Sequence, residues 1–288
     1  MQTITIGGVP EHFNLPWHLA IEKGQFKKKG VELRWKEFYG GTGAMCTALR
    51  EGSIDIAIIL TEGIIKDIIN SNQSKIVKVY VQSPLRWGIH VAANSKFTKV
   101  RELENARIAI SRYGSGSQLM AKVNAHIQGF NMDTLRYEIV KDLHGGIAAL
   151  TQGTADYFLW EYFTTKPYVD NGIFRRIDTV TTPWPCFVMA VCDDVLLTQK
   201  DAIATIIKVI NKQLASFKSP LENKDLVELF TNRYQQKTED VMAWLSITQW
   251  NTQKAISKKL INGIQNKLVQ LNVIEHTVHP NQLIKKVF

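Results

Sequence analysis

Cysteine is scarce in this chain of 288 residues. The three present, Cys46, Cys186 and Cys192, form no Cys-x-x-Cys pair and leave an odd thiol, so neither a disulfide framework nor a zinc site is indicated, and buried reduced thiols are expected. Long uncharged apolar runs are missing too, which excludes a membrane-spanning helix and direct membrane insertion. There is no Gly-x-Ser-x-Gly elbow and no His-Glu-x-x-His, and His276 and His279 stand too isolated to mark a metal centre. No catalytic residue, metal or cofactor is therefore assigned. Ahead of the strand-like opening Thr3-Ile4-Thr5-Ile6 there is no basic region, apolar core or small-residue cleavage site. The expected location is cytoplasmic if the chain is complete, and periplasmic or cell-surface if a leader has been removed.

What charge there is carries one sign in excess. Lys and Arg number 35 against 26 Asp and Glu, a formal +9, yet the lysines are dispersed and the densest run, Lys27-Lys28-Lys29, has no aromatics between its members. With no helix-turn-helix or RNP-like stretch, nucleic acid is not expected as a partner. The hydrophobic fraction of 45% describes an ordinary globular chain.

One short pattern occurs twice. Ala48-Leu49-Arg50-Glu51-Gly52-Ser53-Ile54-Asp55 is echoed by Ala149-Leu150-Thr151-Gln152-Gly153-Thr154-Ala155-Asp156, with Ala, Leu, Gly and Asp in register. Both follow a glycine pair, Gly40-Gly41 and Gly145-Gly146, and both run into an apolar stretch. Each copy reads as glycine turn, helix, glycine cap and buried strand. Two such α/β units predict two lobes with a ligand cleft between them.

The rest of the chain alternates in the same way. Strands are expected at 3–6, 31–38, 54–60, 76–82, 87–93, 107–111, 137–140, 157–160 and 187–192. Helices are expected after Asn14, which caps with Pro16 in the tolerant first turn, after Thr42, after Thr61-Glu62-Gly63 and at 118–128. Beyond Thr198 the pattern is almost wholly helical, broken near Pro220, Thr238 and Pro280. The predicted class is α/β with mainly parallel sheets flanked by helices. Lobe one is read as 1–92 plus 188–288, and lobe two, 93–187, as an insertion.

The order of Lys23-Gly24-Gln25-Phe26, Gly40-Gly41-Thr42, Ala48-Leu49-x-x-Gly52-x-x-Asp55 and Asp156-x-x-x-Trp160-Glu161 resembles the taurine, sulfonate and nitrate branch of the type II periplasmic-binding-protein family. The related thiamine-pyrimidine-precursor-binding proteins share the pattern. The resemblance implies a bilobal monomer that closes by a hinge over a small molecule, delivering it to the membrane permease of an ABC-type transporter. The alternative it implies is a cytoplasmic ligand-binding or enzymatic protein of thiamine-precursor metabolism. Thiamine-pyrimidine synthases carry a cysteine-rich segment that this chain lacks, so an enzyme is the lesser expectation.

Candidate ligand residues lie between a strand's carboxyl end and a helix's amino end, where free N–H groups and the helix dipole favour acceptor atoms. In lobe one these are Asn14, Gly40, Gly41, Thr42, Thr61 and Glu62. In lobe two they are Tyr113, Ser115, Gly116, Ser117, Trp160 and Glu161. Tyr113-Gly114-Ser115-Gly116-Ser117 lacks the Gly-Lys-Ser/Thr ending of a phosphate loop. Glu62 and Glu161 could pair with an ammonium, amidine or aminopyrimidine group or simply favour a helix start, and Trp160 is read as a stacking wall beside Glu161. Phe13, Trp87, Tyr162 and Pro183-Trp184-Pro185 are further candidate walls. The ligand class read from this set is a sulfonate, amino-acid-like or aminopyrimidine compound.

Overall fold

The computed structural model describes residues 2–217, 219–253 and 256–288. The chain divides into two units, Met1–Ser83 with Trp184–Val269 and Ile274–Phe288, and Pro84–Pro183 with Gln270–Val273.

The first unit begins β1 (Gln2–Gly8), α1 (Leu15–Glu22), β2 (Val31–Glu37), α2 (Gly41–Arg50), β3 (Ile56–Leu60), α3 (Thr61–Ile69) and β4 (Ser74–Val81). The second is β5 (Arg86–Ala92), β6 (Arg107–Ile110), α4 (Gly116–Gln128), β7 (Arg136–Ile139), α5 (Leu143–Gln152), β8 (Tyr157–Glu161), α6 (Lys166–Asp170) and β9 (Phe174–Thr181). The first resumes with β10 (Phe187–Cys192), followed by α7 (Asp193–Thr198), α8 (Lys200–Ala215), α9 (Lys224–Tyr234), α10 (Thr238–Ile247), α11 (Lys258–Gln270) and α12 (Pro280–Leu283).

Each unit is built on a five-stranded sheet, ordered β2-β1-β3-β10-β4 in the first and β7-β6-β8-β5-β9 in the second. The two orders follow one plan. In the first, β1 is parallel to β2 and β3, while β10 is antiparallel to β3 and β4. In the second, β6 is parallel to β7 and β8, while β5 is antiparallel to β8 and β9. Four strands of each sheet therefore point one way, and the reversed one is the first strand laid down after the chain changes unit. β10 is apolar and buried along its whole length, as a strand covered on both faces must be.

The sequence places 87–93 at the end of lobe one. In the structure β5 hydrogen-bonds on both sides within the second sheet, so the first change of unit falls at Ser83 and Pro84, and the return at Pro183 and Trp184. A further strand, β9, escapes the sequence reading because its run Phe-Arg-Arg-Ile-Asp-Thr-Val-Thr mixes charge with apolar residues along a mostly half-exposed sheet edge.

The sequence repeat has a structural basis. Asp55 ends the α2 connection, its Oδ2 accepting the Thr5 N–H at 2.7 Å while its own N–H returns to Thr5 O at 2.9 Å. Asp156 does the same to Arg107, at 2.7 and 2.8 Å. Ser53 and Thr154 hydroxyls each bond back to the carbonyl five residues earlier, Ala48 and Ala149. Gly52 and Gly153 sit at φ +65° and +71°, the left-handed conformation that stops both helices. The repeated Asp thus fastens the start of each unit's central parallel pair.

The C-terminal part covers the open edge of the first sheet. Gln82 N donates to Gln249 O at 2.7 Å, Asn251 N to Tyr80 O at 2.9 Å and Lys285 N to Ile76 O at 3.1 Å. Lys78, almost wholly buried in β4, donates its ammonium to Asn251 O and to Gln253 O at 2.9 Å. An edge paired in this way is closed to another chain.

Candidate functional site

In the first unit β1, β2 and β3 run parallel, each followed by a helix, so the amino ends of α1, α2 and α3 lie toward the carboxyl ends of the strands. Asn14 stands at the cap position of α1 but makes no cap bond. It is the last residue of the 3-10 turn His12–Asn14 and is already near-helical, at φ −92° and ψ 0°, so its Nδ2 instead donates to Val9 O at 2.8 Å. Its Oδ1 is buried without a partner. Gly40 precedes α2, and Gly41 opens it at φ +62°. Thr42 packs so closely on α3 that a Cβ on Gly63 would come within 2.3 Å of its methyl. The Thr61 hydroxyl donates to Pro185 O at 2.6 Å, tying α3 to the returning chain.

Glu62 is a buried acid. It is 3% exposed, and the Trp184 Nε1–H donates to its Oε2 at 2.8 Å. Burial raises its pKa to about 7, against the smaller opposing effects of its own backbone N–H and of Trp184. Among the described residues it forms no ion pair. Sequence reasoning treats Trp184 as a candidate wall residue. Its part as donor to a carboxylate 122 positions away has no local signature beyond a tryptophan held between two prolines.

In the second unit Ser115 caps α4 by accepting the Gln118 N–H at 3.3 Å. Ser117 Oγ accepts the Ser111 N–H at 2.9 Å and lies 3.0 Å from Ser115 Oγ and 3.2 Å from Ser111 Oγ. Gly116 is the first residue of the helix between these two hydroxyls. Among the described residues the hydroxyls of Ser115 and Ser117 bond only to backbone N–H groups and to other serine hydroxyls. Tyr113 is exposed, its ring edge-on to Tyr137.

Trp160 and Glu161 are consecutive in β8 and point to opposite faces of the sheet. Trp160 stacks on Phe158 with ring centres 5.1 Å apart, within the cluster that packs under α5 and α6. It therefore does not flank the Glu161 carboxylate, as adjacency in sequence suggests. Glu161 is buried, and its Oε2 accepts the Thr164 N–H at 2.6 Å, closing the turn into α6. Burial raises its pKa, opposed by Thr164, Phe163 and the Arg176 charge.

Sequence reasoning also missed a cationic arrangement around Tyr162. The guanidinium carbons of Arg86 and Arg176 lie 4.4 and 3.4 Å from its ring centre. Arg176 also donates to Tyr162 O at 2.7 Å. The neighbouring His90 is held neutral by burial first and Arg176 second, which bring its pKa down to about 3. Among the described residues no group of three or more His, Cys, Asp or Glu side chains could hold a metal ion, and no helix is long and apolar enough to cross a membrane.

Two five-stranded sheets of one plan, each with a reversed strand supplied at a change of unit, define the periplasmic-binding-protein fold, as the sequence resemblance implies. Residues 87–180 match the family model described as Ca3427-like PBP. Over 99% of this chain and 97% of that one, the structure is similar to the Candida albicans CA3427 gene product, described as exhibiting the generic periplasmic binding protein fold, with TM-score 0.90 and 26% identity. The alkanesulfonate-binding protein SsuA of Xanthomonas axonopodis pv. citri, bound to MOPS, matches with TM-score 0.82 and 14% identity over 99% of both chains. The periplasmic nitrate-binding protein NrtA of Synechocystis PCC 6803 matches with TM-score 0.74 and 14% identity, over 99% of this chain and 86% of that one. No curated protein matches the chain in sequence.

Proposed function

We propose that this chain is a solute-binding protein that captures a small polar organic molecule of the sulfonate, amino-acid-like or aminopyrimidine class, as the substrate-binding component of an ABC-type transporter. The observation that carries the reading is Glu62. A carboxyl group buried at the amino end of α3, with only its own N–H and one indole as donors and no ion pair among the described residues, costs stability, and a ligand donor is what would compensate it. Asn14, Gly40 to Thr42 and Thr61 accompany it in the first unit. Tyr113, Ser115 to Ser117 and Glu161 are the corresponding proposal in the second. Trp160 contributes by shaping the strand that carries Glu161. The likeness to alkanesulfonate-binding and nitrate-binding proteins supports the general role, and Glu62 favours an organic ligand with donor groups over a bare oxyanion.

The test is a thermal-shift screen followed by calorimetry, using alkanesulfonates, amino-sulfonates, amino acids, aminopyrimidines, nitrate and sulfate. A specific ligand raises the midpoint by mass action. Tight binding of nitrate or sulfate, with no response to the organic compounds, refutes the ligand class. Co-purification with a permease and its ATPase checks the transport role, and recovery of chemically altered ligand after incubation would argue for an enzyme instead.

A further inference from the structure

We propose that Glu62 recognises a primary ammonium group and ionises on capturing it, so that ligand binding releases a proton from the Glu62–Trp184 pair. This inference rests on the solute-binding reading and goes beyond it by naming the ligand group and the proton that binding exchanges.

The geometry is that of a buried carboxyl group oriented by a neutral donor. Glu62 is withdrawn from water, and one oxygen is fixed by the Trp184 Nε1–H at 2.8 Å. That bond orients the group and leaves its charge uncompensated. Among the described residues no cationic side chain pairs with it. From its own helix, Lys66 forms no ion pair with it among the described residues, and Asp67 is engaged by Arg50. α2 brings the neutral Thr42 against α3, and α12 carries Pro-Asn-Gln-Leu with no ionisable side chain. The segment before β10 brings Trp184 and the Cys186 thiol, which burial first and Glu62 second push far up, so it stays protonated. Ionising Glu62 therefore places a buried negative charge with no ion-pair partner among the described residues, and the carboxyl keeps its proton until about pH 7. An arriving ammonium supplies the missing counter-charge and returns the carboxyl to its ordinary acidity, and the displaced proton passes to solvent.

The test uses matched probes that differ only in the cationic group: 2-aminoethanesulfonate against 2-hydroxyethanesulfonate, and alanine against lactate. Isothermal calorimetry at pH 6 in two buffers of different ionisation enthalpy should report close to one proton released per amine bound, and none at pH 8.5. The amine's affinity should rise by about tenfold between pH 6 and pH 8 as the free carboxyl ionises, while the hydroxyl partner binds more weakly and without that slope. Glu62→Gln keeps the shape and removes the charge. It should lose the proton release and at least about tenfold of the preference for the amine. Trp184→Phe removes the donor to the charged form and should move the affinity profile to higher pH. Equal binding of amine and hydroxyl probes, or undiminished proton release in Glu62→Gln, overturns the inference. Binding of other solutes in the screen but of neither amine overturns it as well and leaves the solute-binding reading intact. No stabilisation by any solute refutes both.

Discussion

At the scale of single residues, burying an acid beside one neutral donor shifts the free energy of folding with pH. The pKa of Glu62 is about 7 in the folded chain against 4.5 when solvated. The folded state therefore binds more protons than the unfolded state between these values. Its contribution to stability is fully present below pH 4.5 and is lost as pH rises through 7, a swing on the order of 3 kcal/mol. Glu62→Gln removes this dependence, so the substituted protein should gain midpoint temperature relative to the parent from pH 5 to pH 8, as thermal denaturation across that range would record. A constant difference between the two proteins would mean that Glu62 is ionised throughout. Asp55 likewise accepts an N–H, that of Thr5 at 2.7 Å. Asp55→Ala leaves that N–H without its acceptor and should cost about 1–3 kcal/mol in denaturant titrations while leaving ligand affinity unchanged.

At the scale of elements, the two glycine pairs that look equivalent in sequence do different work. Gly41 is needed for its left-handed backbone at the start of α2. Gly145 is needed for close approach: a Cβ there would lie 1.8 Å from the Val140 carbonyl oxygen, and one on Gly146 would lie 2.6 Å from the Phe158 ring. The Val140 oxygen belongs to the backbone and cannot swing aside. Gly145→Ala should therefore destabilise the second unit by roughly 1–3 kcal/mol or more, with the loss seen first in amide exchange of α5 and β8. Gly41→Ala should be milder, on the order of 1 kcal/mol. The repeated pattern and the apolar runs made α2, α5, β3, β8 and β10 legible in the sequence. β9 was not, because its charged residues are stabilised by tertiary partners, as Arg176 is by Tyr162 and His90. The candidate site was legible as positions and far less so as roles. Ser115 and Glu62 lie at helix starts as expected, but the Trp184 donor and the opposite facing of Trp160 and Glu161 depend on sheet pairing and chain return, which no short window contains.

At the scale of the whole molecule, the same sheet plan is assembled in two ways, and this predicts unequal independence of the two units. All five strands of the second sheet, and the α4, α5 and α6 helices with them, come from the single stretch Arg86–Thr181, which nearly coincides with residues 87–180 of the family match. The first sheet is discontinuous. Its fourth strand, β10, is inserted between β3 and β4 and follows about a hundred residues of the other unit, and its β4 edge is covered by residues near 250 and 285. A fragment spanning 84–183 carries its own apolar cluster and every strand pairing of its sheet, lacking only the short Gln270–Val273 segment that Lys122 holds through Asn272 O at 3.1 Å. It should fold alone and melt cooperatively by circular dichroism, at a lower midpoint than the full chain. A fragment spanning 1–83 lacks the strand between β3 and β4 and should remain unfolded until 184–288 is supplied. If 84–183 is unfolded while 1–83 is structured, the contiguous stretch is not the autonomous unit, and the sheet's stability resides in contacts beyond its own strands.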